Sequence, residues 1–282
     1  MLNSKNAAVE WNNSVFNIPA EHRLYNSIPR LMVGFDTETT GLKNPEPISY
    51  GIVTYHNGIQ HGHPEHFLAQ PLDLENSTKS HSVPRHIEEG ASDVHGWSDD
   101  SLSMSAHGNI VPLDDQDPAP ELQDPKQFSK LSMSDVANRF YPPATHPKIA
   151  VNRAVNRLAH YMKQGAVLVG ANPMYDLSVL HDTYKKYNNA DISTSGLNLG
   201  FYRDKKGKLQ TNAPVIDVIQ HDRVLDPNVL PKDHPQYRNR KLTSLAQHYG
   251  VEPGGHKALD DARAAIDVYL KQVAHNVARS RM

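Results

Sequence analysis

The chain has 282 residues, of which 38% are hydrophobic and none is cysteine, so it can bury a core in one large or two ordinary domains but excludes disulfides, thiolate catalysis and Cys-ligated zinc. A formal net charge of −2 excludes a strongly basic surface, and any nucleic-acid binding must come from local patches or bound cations. No apolar run approaches the roughly 20 residues that span a bilayer, and the Asn-rich N-terminus lacks a signal peptide's charged-then-apolar pattern, so a cytoplasmic protein with no membrane partner is expected.

Residues 1–28 show no sustained period and read as an N-terminal extension with a short helix near Ala20 to Leu24; residues 29–282 are expected to form a single domain. The first strand is the apolar run Leu31 to Asp36. It ends in two carboxylates, Asp36 and Glu38, before a turn at Gly41. Side chains two apart on a strand share a face, and like charges held that close are unfavourable unless a cation or a shared proton relieves them. Oxygen-only ligation favours a hard ion such as Mg²⁺ or Mn²⁺. On this segment alone, a solvated strand end fits as well.

Ile48 to Tyr55 and Gln60 to Ala69 are β-branched and aromatic runs separated by Asn57-Gly58, a strong hairpin signal. The first three strands should therefore form an antiparallel meander. From Asp99 to Pro147 the chain is rich in Ser, Asp and Pro without clean periodicity, which reads as a loop-rich insertion with a helical turn at Met133 to Phe140. Order returns in a helix over Ile149 to Gln164, where Val151, Val155, Leu158 and Met162 share a face before Gly165 closes it. A buried strand, Val167 to Gly170, leads into a helix from Tyr175 to Tyr187. A parallel strand is expected at Pro214 to Asp217, with helices at Val218 to Leu225, Leu242 to Tyr249 and Ala258 to Asn276. The pattern predicts an α/β fold with a mixed five-stranded sheet, three antiparallel strands then two parallel, flanked by helices.

Asp176 falls where a strand's C-terminal end meets the mouth of a helix, a usual ligand position in such sheets; a helix-capping role fits the segment equally. In the last helix, Asp260 shares a polar face with Arg263, Asp267 and Lys271. Asp261 instead neighbours Ala258, Ala265 and Val268, small residues that let a helix approach a sheet, so Asp261 is the one aimed inward. His256 precedes the helix after Gly254-Gly255, either swung over the same site or on a surface loop. Most of the seventeen histidines are scattered among polar residues and read as surface. Two basic clusters, Arg203, Lys205, Lys206 and Lys208 around Gly207, and Lys232, Arg238, Arg240 and Lys241, fit either a strand-tracking patch or solvated loops.

Three segments in order, Phe35-Asp-Thr-Glu-Thr-Thr-Gly-Leu42, Asn172-Pro-Met-Tyr-Asp176 and His256-Lys-Ala-Leu-Asp-Asp261-Ala, resemble the motifs of the DEDDh, or DnaQ-like, 3′-5′ exonucleases. The proofreading epsilon subunit of bacterial DNA polymerase III belongs to that family. Ile87 to Trp97 also resembles its helix before the substrate cleft. The resemblance spans roughly residues 31 to 275 and implies an RNase H-like exonuclease fold. It implies two divalent ions, Mg²⁺ or Mn²⁺, held by Asp36, Glu38, Asp176 and Asp261, with His256 as general base. It further implies that Leu42 wedges against the terminal base, that Thr39 contacts the 3′ end through its backbone, that Asn172 and Tyr175 line the cleft, and that His95 approaches the substrate.

The expected activity is release of nucleoside 5′-monophosphates from single-stranded DNA or frayed 3′ ends in proofreading or repair, alone or with a DNA polymerase. The motifs leave open the same chemistry on RNA, as in RNase T or oligoribonuclease, and a non-catalytic nucleic-acid-binding or polymerase-accessory role. The segments Asp99 to Pro147 and Asn198 to Asn212 are bulkier than a minimal family member needs.

Overall fold

The computed structural model describes residues 28–77, 82–106, 144–194, 199–226 and 239–279. The helical turn expected near Ala20, most of the 99–147 insertion including Met133 to Phe140, and the cations Lys232 and Arg238 lie outside these residues.

The sheet is built on β1 (Leu31–Thr39), which runs three residues further than its apolar stretch and carries both opening carboxylates inside the strand. It pairs antiparallel with β2 (Pro47–His56) along its whole length, with a bulge between Glu38 and Thr39. The Asn57-Gly58 turn has both residues in the left-handed region, φ 52° and 79°, as a two-residue hairpin requires. The expected third strand is two short ones, β3 (Ile59–Gln60) and β4 (Glu65–Leu68), which pair with successive stretches of β2. His61-Gly-His-Pro64 interrupts the ladder, because Gly62 takes φ 73° and Pro64 has no N–H to give.

After α1 (Glu89–His95) and α2 (Asp99–Ala106), the chain enters α3 (Pro147–Lys163). Its start is fixed by Pro147 in the first turn and by the His146 ring, which accepts from the Lys148 N–H. Strand β5 (Val167–Gly170) runs parallel to β1, and α4 (Pro173–Asn188) follows. A hairpin of β6 (Phe201–Arg203) and β7 (Leu209–Thr211) precedes β8 (Val215–Asp217), which is parallel to β5. Helices α5 (Val218–Leu225), α6 (Leu242–Tyr249) and α7 (Ala258–Arg279) complete the described chain. Across the sheet the order is β3-β2-β1-β5-β8, with β4 beside β2. This is the expected three antiparallel strands followed by two parallel ones, and β1 lies at the centre.

Strand alternation divides the helices into two layers. Val33, Phe35, Tyr50 and Ile52 pack with Val151, Val155 and Leu158 of α3 and Leu177 and Leu180 of α4. Met32, Val53 and Tyr55, on the other face, pack with α5, α6 and α7 through Val218, Leu245, Ile266 and Tyr269. A smaller cluster of Ile48, Leu68, Ile87, Trp97 and Leu102 seats α1 and α2 against the β2/β4 edge. Among the described residues no helix is long and apolar enough to cross a membrane.

Candidate active site

Asp36 and Glu38 occupy the face of β1 that looks toward α7. Gly34, on the same face, brings that helix unusually close: a Cβ there would lie 2.5 Å from the Ala262 carbonyl oxygen. Gly51, the register partner of Asp36 on β2, would collide with the backbone of Ala258 and Leu259 if it had a side chain. The closeness of the last helix therefore comes from glycines on the sheet as well as from Ala258, Ala262 and Ala265 on the helix. It delivers Asp261 to the end of β1, where one carboxylate oxygen each of Asp36, Glu38 and Asp261 lies within 4.8 Å of the others. Asp260, on the outer side of α7, bonds Arg263 at 2.8 Å and is 43% exposed.

Asp176 reaches the same strand end from the opposite layer. The parallel pairing of β1 with β5 ends at Gly34, so beyond it the strand needs another acceptor on that side. Asp176, in the first turn of α4, supplies it: its Oδ1 accepts from the Thr37 N–H at 3.0 Å and from the Thr37 hydroxyl at 2.7 Å. Asp176 is thus fixed by the residue between the two opening carboxylates, and it stands beside the three-oxygen cluster without belonging to it. Asn172, the residue before α4, is left-handed and exposed, and its N–H donates to Asp217 Oδ1 at 3.2 Å.

Burial and mutual repulsion shape the charge of the site. Burial first, then Asp176, Glu38 and Asp261, holds the Asp36 carboxyl well above the usual range. Glu38 is pushed up to about 9 by burial and by Asp261 and Asp176. Asp176 rises to about 7 because burial outweighs the Thr37 hydrogen bonds that favour its charged form. Burial lifts Asp261 to about 6 against the opposing effect of His256. Left alone at neutral pH, Glu38 would hold its proton and Asp176 would be about half protonated, and positive charge placed among these carboxyls restores their ionised forms. An all-oxygen donor set of this kind fits a hard divalent cation.

His256 sits at φ 59°, its side chain half exposed, with Nδ1 4.0 Å from Asp261 Oδ2. His95 is buried beneath the rim. Its Nε2 donates to the Thr39 carbonyl at 3.1 Å and its Nδ1 accepts from the Trp97 N–H at 3.1 Å, which assigns the Nε2–H tautomer and commits both ring nitrogens. The Thr39 carbonyl is therefore occupied from behind. Leu42 is 86% exposed at the rim, and its N–H is held by Glu88 Oε2 at 3.2 Å. The ring of Tyr175 is half-buried, and its hydroxyl has no hydrogen-bond partner among the described residues.

Of the basic residues, Arg203 is spent on Asp182, at 2.5 and 2.6 Å, and on Ser178. Arg240 is spent on buried Asp222 at 2.8 Å. Lys205, Lys206 and Lys208 remain exposed at the hairpin turn.

No protein-family model matches the chain. A curated DNA polymerase III of the PolC type from Lacticaseibacillus paracasei is 30% identical over 111 residues, 39% of this chain and 6% of that polymerase. E. coli Exonuclease I in complex with a dA16 oligonucleotide matches 89% of this chain and 42% of its own with a TM-score of 0.53 at 14% identity. The fold is that of Exonuclease I. A zinc-bound Exonuclease I complex with single-stranded DNA matches with a TM-score of 0.52, at the same identity and coverage. The chain thus spans under half of Exonuclease I and a small fraction of the polymerase. On this Exonuclease I fold, the acidic cluster forms where β1 meets α7 and α4.

Sequence reasoning missed three contributors. Thr37 was hidden as the neutral residue between two acids, and Gly34 and Gly51 looked like ordinary strand glycines, although a glycine inside a strand is itself a sign of close backbone approach.

Proposed function

We propose that the chain is a divalent-metal-dependent 3′-5′ exonuclease of the DnaQ-like type, acting on single-stranded or frayed DNA ends. The observation that carries this reading is the convergence of Asp36, Glu38 and Asp261 within 4.8 Å beside Asp176, on a fold shared with a DNA-bound exonuclease. A mere binder of a polyanion has no use for four carboxylates facing it. Asp36, Glu38 and Asp261 would hold Mg²⁺ or Mn²⁺, with Asp176 completing the set. When bound, such ions supply the positive charge that activates water and stabilises a departing 3′-oxygen.

The chain's own groups have separable tasks. Thr37 fixes the direction of the Asp176 carboxylate. His256, half exposed on a loop, accepts the proton of the attacking water, and Asp261 Oδ2 beside its Nδ1 stabilises the imidazolium that results. General-base help of this sort is worth about 10²–10⁴-fold. The exposed Leu42 and the Tyr175 ring offer apolar surface to the terminal base, with Asn172 at the mouth of α4. Thr39 and His95 support that rim from beneath. The product is a nucleoside 5′-monophosphate.

The test is incubation of the purified protein with end-labelled single-stranded DNA, duplex DNA and RNA in Mg²⁺, Mn²⁺ or EDTA. Metal-dependent 3′ shortening to mononucleotides, with single-stranded DNA preferred, is expected. Folded protein that shortens no substrate would refute the reading, and a preference for RNA would reassign its substrate.

A further inference from the structure

A cavity of about 480 Å³ opens beside the site and is lined by Leu42, Tyr175, Glu46, Arg85, Asp182 and Lys186, among others. It adjoins the acidic cluster through the chain itself: Tyr175 immediately precedes Asp176, and Leu42 follows Glu38 by one turn. Its walls are the loop after β1, the segment before α1, and the outer face of α4.

The charges in this cavity are arranged around a buried anion. Glu46 is 4% exposed. Its Oε1 accepts from Arg85 Nη1 at 2.6 Å and from Lys186 Nζ at 2.5 Å, and its Oε2 accepts from the Tyr187 hydroxyl at 2.8 Å. Two cations on one carboxylate leave one positive charge in excess within this cluster, with Asp73 outside it also feeling Arg85. Asp182 does not cancel it, because Arg203 already neutralises that carboxylate. In a protein of net charge −2, this is a local positive site next to a strongly negative one.

Both cations keep partly open side chains, 28% exposed for Arg85 and 30% for Lys186. Arg85 gives one further bond, to the Lys43 carbonyl at 3.3 Å, and Lys186 one to the Leu72 carbonyl at 3.3 Å. Of five guanidinium and three ammonium N–H groups, these bonds use only part, so donors remain for an anion in the cavity. Anchoring by Glu46 fixes both heads in advance, which lowers the entropy cost of binding.

From this arrangement we propose that Arg85 and Lys186 bind a backbone phosphate of the substrate strand on the 5′ side of the scissile linkage. The subsite rests on the exonuclease reading for its polarity: Leu42, set against the terminal base on one side, also lines this cavity, so the nucleotide before the terminal one falls on the cavity side. Arg85 presents the planar donor set that suits phosphate oxygens. Arg203 ties the β6–β7 hairpin, with its exposed lysines, to the same helix α4, so a longer strand leaving the cavity meets further positive charge.

The test uses two variants, Lys186→Met, which leaves Glu46 paired with Arg85, and Arg85→Gln, which leaves Glu46 paired with Lys186; each removes the excess positive charge. Binding of a short fluorescent oligothymidylate is measured in EDTA across a salt series, and hydrolysis of the p-nitrophenyl ester of thymidine 5′-monophosphate, which has no upstream phosphate, is measured with Mn²⁺. Expected is about a tenfold weaker oligonucleotide affinity in each variant and a salt slope shallower by about 0.7, the value for one single-strand phosphate contact, with ester hydrolysis unchanged. Unchanged affinity and slope in a folded variant overturn the subsite, and so does loss of ester hydrolysis in step with binding. Absence of ester hydrolysis in the wild type would count against the exonuclease reading, while the binding comparison would still decide the subsite.

Discussion

Adding a single methyl group at Gly34 should cost more activity than stability. The new Cβ of Gly34→Ala would sit 2.5 Å from the Ala262 carbonyl oxygen, 2.9 Å from Val53 Cγ1 and 3.1 Å from Ile266 Cδ1. Side chains of Val53 and Ile266 can rotate away, but the carbonyl belongs to the backbone of α7. Ordinary contact begins at 3.4 Å, so the helix must retreat by about 1 Å, a displacement that alone can cost about 10²-fold in rate when it misplaces a catalytic group. Asp261 immediately precedes Ala262 and moves with it. Overpacking costs about 1–3 kcal/mol, against the roughly 0.4–1 kcal/mol that Gly→Ala gains through the unfolded chain. The clash wins, and the melting temperature should fall by about 2–8 °C, using about 2–4 °C per kcal/mol for a domain of this size. Thermal melts followed by circular dichroism, with metal-dependent hydrolysis measured well below the transition, check both numbers. Wild-type melting together with wild-type activity would show that the close approach of α7 is not what positions Asp261.

Asp261→Asn should lower hydrolysis by at least about 10²-fold, whereas Asp260→Ala, which removes only an exposed partner of Arg263, should stay within a few-fold; equal effects would refute the assignment of faces on α7. Thr37→Val keeps the backbone bond to Asp176 but loses the hydroxyl bond. It should cost about 10–100-fold in activity or metal affinity, and Thr37→Ser should restore most of it; a fully active valine variant would leave Asp176 without need of that support. Burial lowers the His66 imidazole to about 4 and the His221 imidazole to about 4. The unfolded chain therefore binds more protons than the folded one between about pH 6.5 and 4. The stability these histidines contribute is full above that window and lost as pH falls through it, by up to about 1.4 kcal/mol per pH unit for each. His66→Gln should flatten urea-derived stability against pH across that range by about one proton's share, and an unaltered slope would show that His66 does not titrate on unfolding.

The strands and helices that were plain in the sequence are those whose apolar period is long or whose ends carry strong punctuation. Val167 to Gly170 was bounded by glycines, and the meander was announced by Asn57-Gly58. What stayed illegible depends on the third dimension. Nothing local in Gln60 to Ala69 says that β2 would be paired by two short pieces, although Gly62 and Pro64 mark the break once the ladder is known. Asp36 and Glu38 were visible as a pair because strand geometry puts them on one face, and helical phase pointed Asp261 toward the sheet. The phase could not show that Asp176 would be held by Thr37, because that bond depends on where the pairing of β1 with β5 stops. His95 drew attention as a residue that approaches the substrate, and nothing local announced that the Thr39 carbonyl and the Trp97 N–H would bond its ring. The charges around Glu46 were equally out of reach, since Arg85 and Lys186 come from segments far apart in the chain.

The three-oxygen cluster joins a residue near the start of the described chain to one near its end, with the central strand waiting for the last helix. During synthesis, β1 emerges well before α7, which cannot dock until the segments between them have also left the ribosome. An unfinished chain therefore carries half of a potential nuclease centre and none of its geometry. Long-range assembly of this kind is slow to fold, and under the proposed function it acts as a safeguard: a nuclease centre would arise only once the tertiary structure has formed.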